Sequence, residues 1–205
     1  GGALDLQGGS GAGGQNSANI QNQGTGATAQ TISFTGGTQQ AINITGGANS
    51  TNNGAELHAT TGNQTISGNP DITLIGGASG GATNNTNDAN IGLKLGATGI
   101  QTINAHNISL TGGAGGTENV AIIGVETTGQ TQSITATGSV TLTGGAGTDA
   151  VAGFVSNSSD VKVTLNAAGP VALNGGTGGV HPVTLVQAPA GPTGTASQTV
   201  TLPGN

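Results

Sequence analysis

The chain has 205 residues and a formal net charge of -6, and it contains only two Lys or Arg residues beside eight Asp or Glu residues. So few cations exclude the clustered basic surface that binding to nucleic acid or to an anionic membrane requires. Cys, Met, Trp and Tyr are absent and Phe occurs twice, so the core must be built from Ile, Val, Leu and Ala, which suits a narrow, uniform interior.

The first recurring phrase along the chain is apolar-x-apolar-x-Gly-Gly, with Ser, Thr or Asn usually between the apolar residues. A period of two predicts a strand that is buried on one face, and the glycine pair predicts its end. The six copies begin at Leu4, Ile42, Ile72, Ile108, Val140 and Val171.

The second phrase, Ala-x-apolar, follows each glycine pair and also has a period of two. It predicts a second strand in every unit. Its copies begin at Ala18, Ala55, Ala89, Ala121, Ala150 and Val183.

The third phrase is Gln-Thr-Ile, as in Gln30-Thr31-Ile32, and its last residue is always apolar. It predicts a third strand. Its copies begin at Gln30, Gln64, Gln101, Gln132, the altered Val163 and Gln198.

Together the three phrases form a unit of about 30 to 38 residues that is used about six times, which is typical of a solenoid. We expect an all-β fold without significant helix, a right-handed parallel β-helix with three short strands per coil, as a single domain over residues 1–205. Loop insertions are expected near 33–40 and 78–88. Disorder is the alternative for a chain with 42 Gly, but the low charge and the regular apolar positions count against it.

Two contacts between coils follow from aligning the phrases. Gln30, Gln64, Gln101, Gln132 and Gln198 share a column with Val163, so we expect inward amides that form a hydrogen-bonded ladder; a solvated glutamine face is the alternative. Lys94 and Glu126 each lie five residues after an aligned Ala, which predicts a cross-coil ion pair with the two residues about 4.8 Å apart.

No catalytic residue, cofactor site or metal site is predicted. The acidic residues neither recur in one column nor pair at short spacing, and His58, His106 and His181 occupy different places in the unit. Residues 144–152 match the calcium-binding nonapeptide, which makes Asp149 a weak calcium candidate. Because the neighbouring loops lack this Asp, the match is interpreted as coincidental and not as a calcium site.

The phrases of residues 101–123, which read Gln-Thr-Ile, then Ile-Ser-Leu-Thr-Gly-Gly-Ala-Gly-Gly, then Asn-Val-Ala-Ile-Ile, resemble the repeats of filamentous-haemagglutinin-like exoproteins. Gram-negative bacteria secrete these by the two-partner route. The resemblance covers most of residues 1–205. It implies a right-handed parallel β-helix, export across the outer membrane, and a role as an adhesin or fibre on the cell surface.

We therefore expect an extracellular structural or adhesive solenoid that is not an enzyme and that stacks end to end into a filament. Because the chain begins at Gly1 rather than Met, it is interpreted as a processed product or a fragment. One alternative is a surface-binding module, which would bind ice through the polar positions around Thr141 and Thr143 or host or environmental glycans through the Asn-rich loops. The other is a polysaccharide lyase, which a groove of clustered acids and Lys would indicate.

Overall fold

The structure is a computed structural model that describes residues 1–23, 29–82, 86–94, 99–127, 129–156, 162–177, 184–187 and 197–202. The described residues form eighteen β-strands and no helix. It follows that none of them lies in a helix long and apolar enough to cross a membrane.

The strands are short and follow one another in groups of three. The first two coils contain β1 (Ala3–Gln7), β2 (Ala18–Asn22), β3 (Gln30–Ser33), β4 (Ala41–Thr45), β5 (Ala55–Ala59) and β6 (Gln64–Ser67). The next two contain β7 (Asp71–Ile75), β8 (Ala89–Leu93), β9 (Ile100–Ala105), β10 (Ile108–Thr111), β11 (Ala121–Val125) and β12 (Thr131–Ala136). The last two contain β13 (Val140–Thr143), β14 (Ala152–Ser156), β15 (Lys162–Ala167), β16 (Val171–Asn174), β17 (Thr184–Gln187) and β18 (Ser197–Thr201).

Every third strand belongs to the same sheet. Sheet A has the order β1-β4-β7-β10-β13-β16, sheet B has β2-β5-β8-β11-β14-β17, and sheet C has β3-β6-β9-β12-β15-β18. All the pairings are parallel, and each strand therefore pairs with its counterpart one coil away. The predicted parallel β-solenoid with three strands per coil is confirmed.

The register between coils agrees with the length of the repeat. In sheet A, Ala3 pairs with Ala41 at an offset of 38 residues (41 − 3), and Ala41 pairs with Asp71 at an offset of 30 (71 − 41). The spare residues lie in the connections. Residues 76–88 connect β7 to β8, whereas only 144–151 connect β13 to β14, and residues 34–40 lengthen the first coil.

The core is a set of columns of aliphatic side chains inside the three sheets. Leu4, Ile42, Ile72, Ile108 and Val140 follow one another in register, and those of the inner coils are fully buried. Alternate residues point outward, because side chains in a strand alternate between its two faces. Phe154 is the one aromatic residue in the fully buried set that the structure describes.

Each glycine pair allows the chain to turn tightly from sheet A towards sheet B. A Cβ atom built on Gly46 would lie 1.9 Å from the carbonyl oxygen of Asn87 on the next coil, and one on Gly47 would lie 2.0 Å from the oxygen of Gly9. Neither distance is possible for real atoms. The glycines are therefore required by the close approach of adjacent coils, and not merely by the turn.

The structure corrects the alignment of the Ala phrase in the last two coils. Ala121 pairs with Ala152 and Ile123 with Phe154, so the fifth copy begins at Ala152 and not at Ala150. In the sixth copy Thr184 pairs with Gly153 and Val186 with Phe154, across an irregularity in the register. The Ala-x-Ala-x-Phe run at 150–154 offers two starting points with the same period, and sequence periodicity cannot distinguish them.

Candidate functional site

A continuous ladder of buried glutamine amides runs along the inside of sheet C. Gln64 Nε2 donates to Gln30 Oε1 over 2.7 Å, Gln101 Nε2 donates to Gln64 Oε1 over 2.7 Å, and Gln132 Nε2 donates to Gln101 Oε1 over 2.6 Å. All four side chains are buried. The column thus points inward and not to solvent, and its amides hydrogen-bond from coil to coil.

Each glutamine also contacts the backbone of sheet B. Each Nε2 atom donates to a backbone carbonyl oxygen in one column of sheet B. The pairs are Gln30 with Ile20, Gln64 with Leu57, Gln101 with Ile91, and Gln132 with Ile123. The amide therefore uses one N–H along the axis and the other across the interior. This arrangement joins sheets B and C, and it satisfies amide donors that would otherwise be costly to bury.

The ladder has a direction and an unsatisfied end. Between glutamines, each Nε2 donates to the Oε1 of the preceding coil. The last carbonyl of the run, Gln132 Oε1, is buried and has no hydrogen-bond partner among the residues that the structure describes. The next residue in this column is Val163, whose side chain has no donor. Glutamine returns at Gln198, which pairs with Val163 through the backbone.

A second amide ladder lies at the corner between sheets A and B, and the phrases did not predict it. Asn53 Oδ1 accepts from the backbone N–H of Asn16 over 2.9 Å, Asn87 Oδ1 accepts from Asn53 over 2.8 Å, and Asn119 Oδ1 accepts from Asn87 over 3.0 Å. Asn53, Asn87 and Asn119 are fully buried. Their Nδ2 groups donate to loop carbonyls of the same coil, at Ala48, Ser79 and Gly115.

The signal for this second ladder was present in the sequence. Each of the four asparagines stands two residues before the Ala that begins a strand of sheet B, so the phrase is Asn-x-Ala. In the fifth coil Ala150 takes the place of Asn, and its carbonyl accepts from Gly145 N–H over 2.8 Å, as Asn119 accepts from Gly113 over 2.7 Å. The misplaced start of the fifth Ala phrase concealed this column.

The predicted pairing of Lys94 with Glu126 is wrong in its partner. Lys94 Nζ lies 2.8 Å from Glu56 Oε2, on the coil before it. Gly92 lies between Asn90 and Lys94 on the outer face of β8, and it has no side chain to obstruct the reach of Lys94 back along the strand. The sequence offset identified the neighbouring coils correctly but could not show which carboxylate the flexible Lys reaches.

Five titratable residues gather on the outer face of sheet B, and we name them the sheet-B cluster: Glu56, His58, Asp88, Lys94 and Glu126. His58 Nδ1 lies 3.0 Å from Glu56 Oε2, the same oxygen that Lys94 contacts. Asp88 Oδ1 accepts from the backbone N–H of Val120 over 3.0 Å and so joins two coils. The cluster contains four of the ten charged residues of the chain.

The carboxyl groups of the sheet-B cluster have different proton affinities. Burial alone would raise the pKa of Glu56, but the contacts with His58 and Lys94 lower it to about 2. Burial raises the pKa of Asp88 to about 6, against the opposing hydrogen bonds from Thr86 and Val120. Burial also raises the pKa of Glu126, although the charge of Lys94 opposes the shift.

The space next to the sheet-B cluster is small. A cavity lined by Asn90, Gly92, Gly124 and Glu126 among others has a volume of about 10 Å³, which is about enough for one water molecule. It is too small for a sugar ring. A larger groove of about 250 Å³ lies at the glycine corners and is lined by Thr45, Ile75, Thr111 and neighbouring Ala and Gly residues. Among the described residues, the acids and Lys94 of the sheet-B cluster therefore lie beside the smaller of these two spaces.

The remaining sequence candidates are separate from one another. Among the residues that the structure describes, no group of three His, Asp or Glu side chains could hold a metal ion. Asp149 lies in a turn with a φ of 53°, and His106 Nδ1 lies 3.1 Å from Asp71 Oδ1. His181 lies outside the described residues.

The polar positions considered for a flat binding face lie on the outside of sheet A, but sheet C has the more regular array. In sheet A, Thr141 and Ser109 share a column with Thr73 and Asn43, and the adjacent column contains the exposed Ile75. In sheet C one outward column contains only hydroxyl side chains in all six coils: Thr31, Thr65, Thr102, Ser133, Thr164 and Thr199.

The chain was also compared with known proteins. A scan against protein-family models, a search of curated proteins and a search of solved structures each found no match to this chain.

Proposed function

We propose that this chain is a structural module of an extracellular fibre or adhesin, without a catalytic role, and that its coil stack is extended at both ends. One observation supports this proposal most directly. Three parallel sheets run through all six coils, with one irregularity in register in sheet B, and each of them ends in a strand whose outer edge has no partner among the residues that the structure describes. The two amide ladders add hydrogen bonds along the same axis, which favours a stiff rod.

The first strand illustrates how an edge is available for pairing. Gly2 O accepts from Ala41 N–H, and Gly8 N–H donates to Thr45 O. In a parallel sheet, the backbone N–H and C=O groups of successive residues point alternately to the two sides of the strand. The N–H and C=O groups of Leu4 and Leu6 therefore face β4, and those of Asp5 face the open side of β1. An unpaired edge of this kind is a template for another chain.

Apolar side chains at the far end also lack a cover. Leu173 is 50% exposed and Leu202 is 55% exposed, whereas Leu142, the partner of Leu173 on the preceding coil, is fully buried. At the near end Leu4 and Leu6 are only partly buried. Another coil at either end would bury these side chains as the inner ones are buried.

The proposal is tested by electron microscopy and light scattering of the 205-residue chain over a range of concentrations. We expect filaments whose length increases with concentration. Asp5→Pro removes the free N–H from the edge of β1 and should shorten or abolish the filaments. Asp5→Ala is the matched control, because it also loses the hydrogen bond from Asn43 Nδ2 to Asp5 Oδ1 but keeps the N–H. Monodisperse particles at all concentrations would contradict the proposal.

A second candidate function is binding to a flat, ordered surface such as ice or a glycan. The hydroxyl column of sheet C supports it, because its side chains repeat at the spacing of the strands, about 4.8 Å. Thermal hysteresis and sedimentation with insoluble polysaccharides would test it. Thr102→Val should weaken the activity, and Asn104→Ala, two residues along the same strand, is the control. An activity that Thr102→Val leaves unchanged would exclude this face.

A further inference from the structure

The geometry points to a second copy of this chain as the partner of each open end, joined head to tail and in one definite register. This inference rests on the proposed function and specifies its partner. In it, the edge formed by β16, β17 and β18 of one copy pairs with the edge formed by β1, β2 and β3 of the next. Pairing remains parallel in all three sheets, as it is between coils within the chain.

The first argument is that head-to-tail stacking aligns columns of similar chemistry. In sheet A the inward residues of the last coil are Val171 and Leu173, and those of the first coil are Leu4 and Leu6. In sheet C the last coil has Gln198 in the glutamine column, and the first coil has Gln30 in the same column. A head-to-head contact would instead require antiparallel pairing, which none of the strand pairs in the described part of the chain shows.

The second argument is the direction of the glutamine ladder. Each Nε2 donates to the Oε1 of the preceding coil, so Gln30 begins the ladder with no glutamine before it. Its Nε2 donates to the backbone carbonyl of His58 over 2.9 Å instead. A preceding copy would place Gln198 in register with Gln30, so a glutamine would precede Gln30 in this column.

The third argument is the absence of charge conflict at the junction. The outward residue that would precede Asp5 in its column is Ala172, and the residue that would precede Thr31 is Thr199. No like charges face one another in these columns, whereas opposed like charges would destabilise the pairing. The contact is heterologous and does not close, so it generates a filament and not a dimer.

The register can be tested by disulfide trapping, because the chain has no Cys of its own. The predicted pairing places Thr199 of one copy beside Thr31 of the next, with Cα atoms about 4.8 Å apart, which a disulfide can bridge. Both residues are exposed, so Cys should be tolerated at each site. The double variant T31C/T199C should form a series of covalent multimers on oxidation, while each single variant should form no covalent multimers.

The control is T31C/T201C, in which one Cys is moved two residues along β18. Its Cα distance across the junction would be about 8 Å from the strand spacing and rise, too long for a disulfide. Multimers from this control, or dimers from T31C alone, would overturn the inference in favour of a shifted register or a head-to-head contact. Filaments that T31C/T199C cannot trap would overturn the inference and leave the proposed function standing. Particles that remain monomeric in electron microscopy would contradict both.

Discussion

The glutamine ladder leads to an unequal response at two chemically identical positions. Gln101 lies in the middle of the ladder, and Gln132 lies at its unsatisfied end. Gln→Leu removes the amide at either position and leaves a side chain of similar size, so cavity formation contributes little to the comparison. The difference between the two variants therefore reports hydrogen bonding.

Gln101→Leu removes the donor to Gln64 Oε1 and the acceptor of Gln132 Nε2, whose distances are 2.7 and 2.6 Å. A buried acceptor left unsatisfied costs about 1–3 kcal/mol, and the second lost bond adds about 1 kcal/mol. We therefore expect the free energy of unfolding to fall by about 2–4 kcal/mol. Gln132 Nε2 retains its bond to Ile123 O, which limits the loss.

Gln132→Leu leaves Gln101 Oε1 without its donor, but it also removes Gln132 Oε1, which is already buried without a partner. The two effects are opposite and each is about 1–3 kcal/mol, so the net cost should be about 0–1 kcal/mol. Urea unfolding followed by far-UV circular dichroism gives both values, since the chain has no Trp or Tyr for fluorescence. Asn104→Ala, on the exposed face of the same strand as Gln101, is the control.

Equal costs for Gln101→Leu and Gln132→Leu would refute the reasoning, because they would show that the ladder bonds do not determine the loss. A larger cost for Gln132→Leu would refute it as well. If unfolding proceeds in more than one transition, the two variants are compared on the first transition in which sheet C unfolds.

Three further predictions concern the corners and the sheet-B cluster. Gly46→Ala should destabilise the chain by about 3 kcal/mol or more, because its Cβ would lie 1.9 Å from a carbonyl oxygen of the next coil. Gly37→Ala is the control and should change stability by less than about 0.5 kcal/mol, because a Cβ at Gly37 would meet nothing within 4 Å. Similar unfolding midpoints for the two variants would contradict the steric argument. The pKa of Asp88 is raised from 3.8 to about 6, so the stability that Asp88 contributes should decrease as pH rises from 3.8 to about 6. The pKa of Glu56 is lowered from 4.5 to about 2, so the stability that Glu56 contributes should decrease as pH falls from 4.5 to about 2. Thermal melts should therefore show the greatest stability near pH 4 to 5. Asp88→Asn should reduce the loss of stability above pH 5, and an unchanged loss in this variant would show that another group causes it. Lys94→Met should destabilise by about 1 kcal/mol and Glu126→Gln by less, and double-mutant cycles should show stronger coupling of Lys94 with Glu56 than with Glu126.

Much of the fold follows from periodicity alone. The phrase that begins at Leu4 and the phrase that begins at Gln30 each align in register through all six coils, as their spacing predicts. Repeats of this kind are informative because the strand of every coil meets the same neighbours, so the same residue types recur at the same places. The Ala phrase failed at Ala150, where two alternating alanines fit the same pattern, and its register is irregular in the sixth copy, where Phe154 pairs with Val186.

Part of the site was also visible in the sequence. The replacement of Gln by Val163 indicated that the glutamine column points inward, because a column that accepts a valine is better suited to the interior than to solvent. The asparagine column was equally regular, at Asn16, Asn53, Asn87 and Asn119. It was missed because Asn is also common in turns, where it needs no partner on another coil.

The sequence by itself determined the number of strands per coil, the length variation in the loops and the inward face of each strand, since all three follow from period and spacing. Only the tertiary structure decided which long side chains meet. Lys94 Nζ lies 2.8 Å from Glu56 Oε2, although Glu56 pairs with Asn90, four residues before Lys94. The long Lys side chain spans that offset, which the alignment of the phrases cannot specify. The tertiary structure also revealed the unsatisfied carbonyl of Gln132, because the end of a ladder is defined by the residue on the next coil and not by its neighbours along the chain.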